Sequence, residues 1–167
     1  MSYMGYLQER YQKEVLDYLG MQRMAVLSTH AEDNTIDASA VFFLADRDLH
    51  FYFSTKVGTR KYKNMATNPQ VTLTIPSDDE LKTVELKGTA SVLSNPKEIT
   101  DHITMLINKN RYIEGSPWAP PIAKLDAGPF VIVKITPSWL RYGVFQNEEP
   151  TGEYFKQIIP LGAKPER

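Results

Sequence analysis

The chain has 167 residues, 42% of them hydrophobic, with 19 Lys+Arg against 20 Asp+Glu and no cysteine. That length and apolar share suit one domain with a real core, and the near-neutral balance gives no global field to recruit nucleic acid or an anionic membrane. The lack of thiols excludes disulfides, thiolate nucleophiles and Cys-based zinc or iron–sulfur sites.

The first residues hold no basic segment followed by an apolar run, and Gln8, Glu9, Arg10, Lys13 and Glu14 break up any signal peptide. No apolar stretch approaches the roughly 20 residues a bilayer span needs. A cytoplasmic protein is the default expectation. Residues 4–19 read as an amphipathic helix, with Leu7, Tyr11, Val15 and Tyr18 three or four apart and Gly20 at its end. Residues 24–29 form a short apolar strand. Glu32-Asp33-Asn34 supplies turn chemistry, and residues 36–45 return as a second strand. Asp46-Arg47-Asp48 turns the chain again, into a third strand over 49–55 with Leu49, Phe51 and Phe53 on one face.

A short helix opens with Thr59-Arg60-Lys61 after Gly58, and Asn68-Pro69 ends it. Val71, Leu73 and Ile75 alternate as a fourth strand, and residues 81–93 form a long fifth one with a bulge or bend at Gly88. Asn95-Pro96 starts a second amphipathic helix, with Asn at the cap and Pro at the first position, carrying Ile99, Ile103, Leu106 and Ile107 inward. The Gly115–Pro121 stretch is too rich in proline for regular structure. Two last strands, 130–136 and 139–145, are separated by Pro137-Ser138, and the tail from about residue 147 is polar apart from Ile158-Ile159.

Successive strands on short turns imply an antiparallel meander, and a parallel sheet is disfavoured because the first three lack crossover helices. The expected fold is mainly β: one domain over 1–167, a six-stranded antiparallel barrel, closed or nearly so, with peripheral helices.

The stretch from Leu49 to Lys61 carries the chemistry. An alternating strand ends in Ser54-Thr55, crosses a glycine turn, and enters a helix with Thr59 as N-cap and Arg60 and Lys61 in its first turn. Two hydroxyls, two cations and free helix amides make an anion site. Cations at a helix start oppose its dipole, and an anion between them would reverse that sign. On the local residues alone a plain capped helix with solvated basic residues is the simpler account. The Walker pattern is absent. His30, His50 and His102 stand at no metal-ligand spacing from one another: surface positions are expected for His30 and His102, a hydrogen-bonded strand position for His50, and no metal site. Trp118 reads as a loop anchor. Trp139 and Arg141, on a late strand, are open between packing at a barrel edge and reaching a phosphate across a subunit interface.

The order Phe-Ser-Thr-x-x-Gly-Thr-Arg-Lys, helix, Asn-Pro-x-Val and Lys-Gly-Thr-Ala on a long strand resembles the pyridoxamine 5′-phosphate oxidase-like flavin-binding split barrels, over roughly residues 22–144. The resemblance implies a homodimer with FMN in a groove at the subunit interface. It implies Arg60 and Lys61 on the FMN phosphate and Ser54 and Thr55 as the polar pair before the turn. The backbone of Ser39, Ala40, Val41 and Phe42 would lie along the ribityl chain and ring edge, with Thr83 where the oxidase has a cofactor-touching Gln. Departures are equally specific. Ser39 and Leu44 stand where the oxidase has a phosphate-binding Arg and a substrate-touching Lys. Met105, Lys109 and Ile113 replace its Tyr, Arg, Ser series, and the tail lacks its Arg-x-His motif.

The resemblance therefore implies a kept cofactor site and a lost vitamin B6 phosphate site, not a true pyridoxamine phosphate oxidase. The expected function is an FMN-dependent oxidoreductase acting on a small molecule. The alternatives are a flavin-binding or sensor protein without turnover, or a split barrel that uses deazaflavin or haem. Haem-binding relatives use a histidine ligand, and no histidine here is marked as one.

Overall fold

The computed structural model describes residues 3–110, 129–145 and 154–159, with side chains from Arg10 onward in the first helix. Ten elements follow one another: α1 (Tyr3–Met21), β1 (Met24–His30), β2 (Ile36–Ala45), β3 (Phe51–Lys56), α2 (Arg60–Thr67), β4 (Gln70–Ser77), β5 (Lys82–Val92), α3 (Pro96–Asn110), β6 (Phe130–Val144) and β7 (Phe155–Ile159). All strand pairs are antiparallel, in the order β3-β2-β1-β4-β5-β6-β7, and a further β3–β6 ladder closes six of them into a barrel. Closure removes the exposed edges an open sheet would present.

Alternation along the strands fills the barrel: Leu27, Phe43, Phe51, Phe53, Leu73, Ile75, Leu86 and Ile135 are all nearly inaccessible. The two ends are stoppered differently. At one end α1 inserts Val15, Tyr18 and Leu19, and the Tyr18 hydroxyl donates to the Ile75 carbonyl at 2.8 Å. At the other end α2 inserts Asn64 and Met65. The third helix, α3, lies outside the barrel, its Leu106 forming a small second core with Tyr52 and Ile132 and the flanking Leu44, Ile99 and Ile103. The Asn95 side chain caps α3, accepting from the Lys97 and Glu98 amides.

Several expectations need correction. Residues 130–144 are one strand, not two. Gly88 pairs with Pro137 and Lys87 with Trp139, so Ser138 is bulged out and the strand bends without breaking. Proline is tolerated there because a bulge asks for no ladder amide. A Cβ on Gly88 would sit 2.6 Å from the Thr136 carbonyl oxygen, which is why this crossing needs glycine. The tail contributes a seventh strand, β7, which adds to the far half of β6 and buries Ile158. Leu49 is not in β3: it sits in the preceding turn at φ 60°, its side chain turned into the core. Helix α1 also runs one residue beyond Gly20.

Candidate functional site

β2 positions the site, because its two halves have different neighbours. It pairs with β1 along residues 36–42, but with β3 only from Phe43 to Ala45. Beyond Phe53, β3 bends away and its Ser54, Thr55 and Lys56 pair with β6 alone. The sheet is thus split between the first half of β2 and the end of β3, and α2 starts at that split. Along its free edge β2 offers backbone groups that no described strand takes up.

The local sequence explains how α2 is placed. Gly58 supplies a φ of 92°, which turns the chain out of β3. Thr59 is the N-cap, in extended conformation, accepting from the Tyr62 amide at 3.4 Å. Its hydroxyl donates to the Lys56 carbonyl at 3.0 Å and lies 3.1 Å from the buried Thr55 hydroxyl. Among the described residues no side chain caps the amides of Arg60 and Lys61, and no acidic residue occupies the first turn. This is the electropositive end of a helix carrying two cationic side chains.

A residue the sequence reading missed completes this end. Asp37, on β2, accepts from Arg60 Nη2 at 2.7 Å and from Asn64 Nδ2 at 2.9 Å. Asn64 also donates to the Thr29 hydroxyl at 3.0 Å. Arg60 remains 83% exposed while Asp37 is 16% exposed, so the guanidinium reaches in from solvent onto a half-hidden carboxylate. No local signal marks Asp37, since it stands 23 positions before Arg60 and meets it only because α2 folds across the strand end.

The predicted residues divide into groups. Ser54, Thr55, Thr59, Arg60 and Lys61 gather where β3 passes into α2, and Ser39 lies on the adjoining β2. Ala40 and Phe42 alternate outward on β2, while Val41 is buried in the barrel and can offer only its backbone. Thr83 is buried near the opposite end, where it pairs with Pro76 and Gly143. Trp139 and Arg141 lie on the β7 half of β6, away from the β3–β6 ladder. Arg141 donates from Nε and Nη2 to Glu85 and stacks over Phe155, 4.2 Å from the ring centre. Trp139 packs under Lys87 and Arg141. Within one chain these two do not join Arg60. Trp118 lies outside the described residues.

Of the histidines, His30 is exposed as expected. His50 precedes β3 and is bound to Asp46 through Nδ1 at 3.0 Å. His102 is not a free surface residue: its ring stacks on Tyr52 with centroids 3.9 Å apart, and Nδ1 meets the Glu98 carbonyl. Asp46, Asp48 and His50 bring three ligand atoms within 4.8 Å. The Asp46 oxygens there are already used, by the Asp48 and His50 amides, the His50 ring and the Tyr52 hydroxyl. Burial pushes the Asp46 carboxyl up, but these hydrogen bonds outweigh it and hold it below its ordinary range. The cluster locks the β2–β3 turn.

At the far end of β2, Leu44 and Ala45 line a cleft of about 320 Å³ with Leu16, Leu19 and Gly20 of α1 and Met105, Asn108 and Lys109 of α3. Lys109 reaches into the barrel end. Its Nζ donates to the Leu19 carbonyl at 2.9 Å and lies 4.2 Å from the centre of the Phe43 ring. Burial lowers its pKa from 10.5 to about 8. The positions of Leu44, Met105 and Lys109, set apart in the sequence as departures, thus line one cleft.

The family model described as pyridoxamine 5′-phosphate oxidase matches residues 11–142. No curated protein sequence matches. Among solved structures, a Listeria innocua protein described as a candidate pyridoxamine 5′-phosphate oxidase is similar at 22% identity, over 79% of this chain and 97% of its own, with a TM-score of 0.62. An F420 reductase is similar at 22% identity, over 76% and 94%, with a TM-score of 0.59. The heme storage protein HutZ from Vibrio cholerae is similar at 16% identity, over 75% and 88%, with a TM-score of 0.58.

Proposed function

The chain belongs to the pyridoxamine 5′-phosphate oxidase family, and we propose that it is a dimeric FMN-binding oxidoreductase that acts on a small molecule other than a vitamin B6 phosphate. The observation that carries this reading is the first turn of α2, where Arg60, Lys61 and the helix amides stand at the split between β2 and β3. The donor set fits a phosphate: two cations and backbone N–H groups at a helix start. Ser54 adds a hydroxyl, while those of Thr55 and Thr59 are spent on each other and on the Lys56 carbonyl and shape the turn. The edge of β2 that faces away from β1, unpaired with any described strand before Phe43, fits a long ligand running away from that phosphate along Ser39 to Phe42. The seven steps of strand from Asp37 to Leu44 extend about 23 Å.

FMN, when bound, supplies the redox chemistry through its ring. The chain would orient it. Arg60 and Lys61 hold the phosphate end, the β2 backbone aligns the chain and ring edge, and Phe42 and Ala40 present an apolar surface beside it. Asp37 keeps Arg60 aimed across the end of β2 before the phosphate arrives, and then competes with it.

A second copy has a place in this reading. The outer faces of β1 and β2 leave Met24, Val26 and Ile36 between 42% and 57% exposed, beside the exposed Ala38 and Ala40. A contiguous apolar strip of this kind suits a partner subunit. Trp139, Arg141 and Thr83, remote from Arg60 in one chain, would then meet the cofactor across that interface.

Leu44 and Met105 favour a substrate without a B6-type phosphate, since an apolar rim offers no donor to one. A related cofactor, deazaflavin, would use the same phosphate end, and the F420 reductase among the similar folds keeps that reading open. A flavin-binding protein without turnover shares the whole cofactor site. No described helix is long and apolar enough to cross a membrane.

The test is spectroscopic. Purified protein should carry or take up FMN, released on denaturation, and NAD(P)H with a small acceptor should cycle it faster than free FMN cycles. A protein that ignores added FMN would sink the reading. A Soret band would replace it with haem, and binding without turnover would leave the non-catalytic flavoprotein.

A further inference from the structure

The cleft at the Leu44 end of β2 is built unlike the cofactor end. Its walls are the aliphatic side chains of Leu16, Leu19, Leu44 and Ala45, with Met105, 45% exposed, and the exposed Asn108 at the rim. One cation stands in it. Lys109 Nζ uses one of its three hydrogens on the Leu19 carbonyl, and no carboxylate among the described residues lies within ion-pair distance.

A plain structural role accounts for part of this arrangement. The Leu19 carbonyl belongs to the last turn of α1, where carbonyls lack intrahelical partners and a cation is favoured. A neutral donor such as Gln would serve that role with less desolvation. Keeping an ammonium beside an apolar wall costs free energy unless an opposite charge joins it. The Phe43 ring face, 4.2 Å away, offsets only part of that cost. Two ammonium hydrogens therefore remain for a ligand, at the edge of a cleft whose walls inside the Asn108 rim ask for hydrocarbon.

We propose that this cleft binds a small molecule with an apolar body and a single carboxylate-like anionic group, which pairs with Lys109. The flavin reading enters only in making this molecule the substrate. Leu44 and Phe42 share the outer face of β2, two residues or about 7 Å apart, so a ligand in the cleft would lie next to a ring aligned on Phe42. The aliphatic lining selects against sugars and phosphate-rich ligands, and one unneutralised cation selects a monoanion.

The experiment uses flavin-free protein, so that it succeeds or fails apart from the cofactor proposal. Binding of 2-naphthoate is compared with that of 2-naphthylmethanol, its neutral counterpart of nearly equal size, by fluorescence titration. The wild type should bind the acid at least tenfold more tightly than the alcohol. Lys109→Met, close in shape and uncharged, should bring the two affinities together. Met105→Glu, an exposed substitution that leaves the fold intact, should weaken the acid several-fold and spare the alcohol. Equal wild-type affinities, binding of neither probe, or a preference that survives in both variants would overturn the proposal. Loss of folding in Lys109→Met would leave Met105→Glu to decide.

Discussion

The two ends of β2 each hold a cation, and the two are handled in opposite ways. At the α2 end Arg60 is 83% exposed and already has a carboxylate, Asp37, at 2.7 Å. At the α1 end Lys109 is partly buried and, among the described residues, has only a carbonyl and an aromatic face. At the first end the Arg60 charge is balanced before any ligand arrives, so anion binding to it is an exchange of partners. The second end is unbalanced, and an anion would relieve it. Exposure determines which arrangement is tolerable: a solvated ion pair is worth little either way, whereas a desolvated cation without a counter-charge weighs on stability.

The largest effect should come from reversing the charges at the balanced end. Arg60→Glu with Lys61→Glu should weaken FMN binding by at least ~100-fold, since two charge-assisted contacts become repulsive. Thermal melting should move little, because Arg60 is solvated. A melt lowered as much as the binding would mean that these residues serve the fold instead.

Next comes the buried hydrogen-bond junction behind Arg60. Asn64→Ala removes the donors to Thr29 and Asp37 and leaves both acceptors short, which should destabilise by about 1–3 kcal/mol in denaturant unfolding. An unchanged midpoint would show that α2 is held by Met65 alone.

The unbalanced end predicts a pH dependence of definite sign. The folded-state pKa of Lys109, about 8, lies below its ordinary 10.5. Between these values the unfolded chain holds the proton more tightly, so stability should rise with pH across that window. Below pH 8 the folded protein bears the full cost of the buried charge. Lys109→Met should abolish this rise and, at neutral pH, stabilise by roughly 1–3 kcal/mol, less whatever the Leu19 contact contributes. A variant that melts lower and keeps the slope would contradict the comparison.

The smallest effect sharpens the balanced end. Asp37→Asn keeps a hydrogen-bonding side chain but removes the charge competing with a phosphate at Arg60. FMN should then bind about threefold tighter, as suits a largely solvated pair. Weaker binding would mean that aiming Arg60 outweighs the competition.

Much of this architecture was legible in the sequence because its signals are local. The apolar run at 24–29, the turn residues that precede 36–45 and the alternation over 71–75 mark strands, Gly58 with Thr59 marks a turn and a cap, and Asn95-Pro96 marks a helix start. Pro137 misled because a proline normally ends a strand, and only its partner Gly88, far along the chain, shows the bulge that accommodates it. β7 was hidden because its few apolar residues, Phe155, Ile158 and Ile159, sit in a tail rich in charged and turn residues.

At the site, the cations of α2 were readable from their position at a helix start. Asp37 was not, since what pairs it with Arg60 is the packing of α2 across a strand end. Lys109 was legible as a position in a pattern but not as a buried charge. Its burial depends on α1, ninety residues earlier, folding against it.

The central claim is that the first turn of α2 grips a phosphate, and one titration tests it most directly. Flavin-free protein is titrated with FMN and with riboflavin, which differ only by that phosphate, while flavin fluorescence is followed. The account predicts that FMN binds at least ~100-fold more tightly, consistent with two charge-assisted hydrogen bonds of about 1.5–3 kcal/mol each. It also predicts that Arg60→Glu with Lys61→Glu removes the difference. Equal affinity for the two flavins in the wild type, or a phosphate preference that survives the charge reversal, would contradict it.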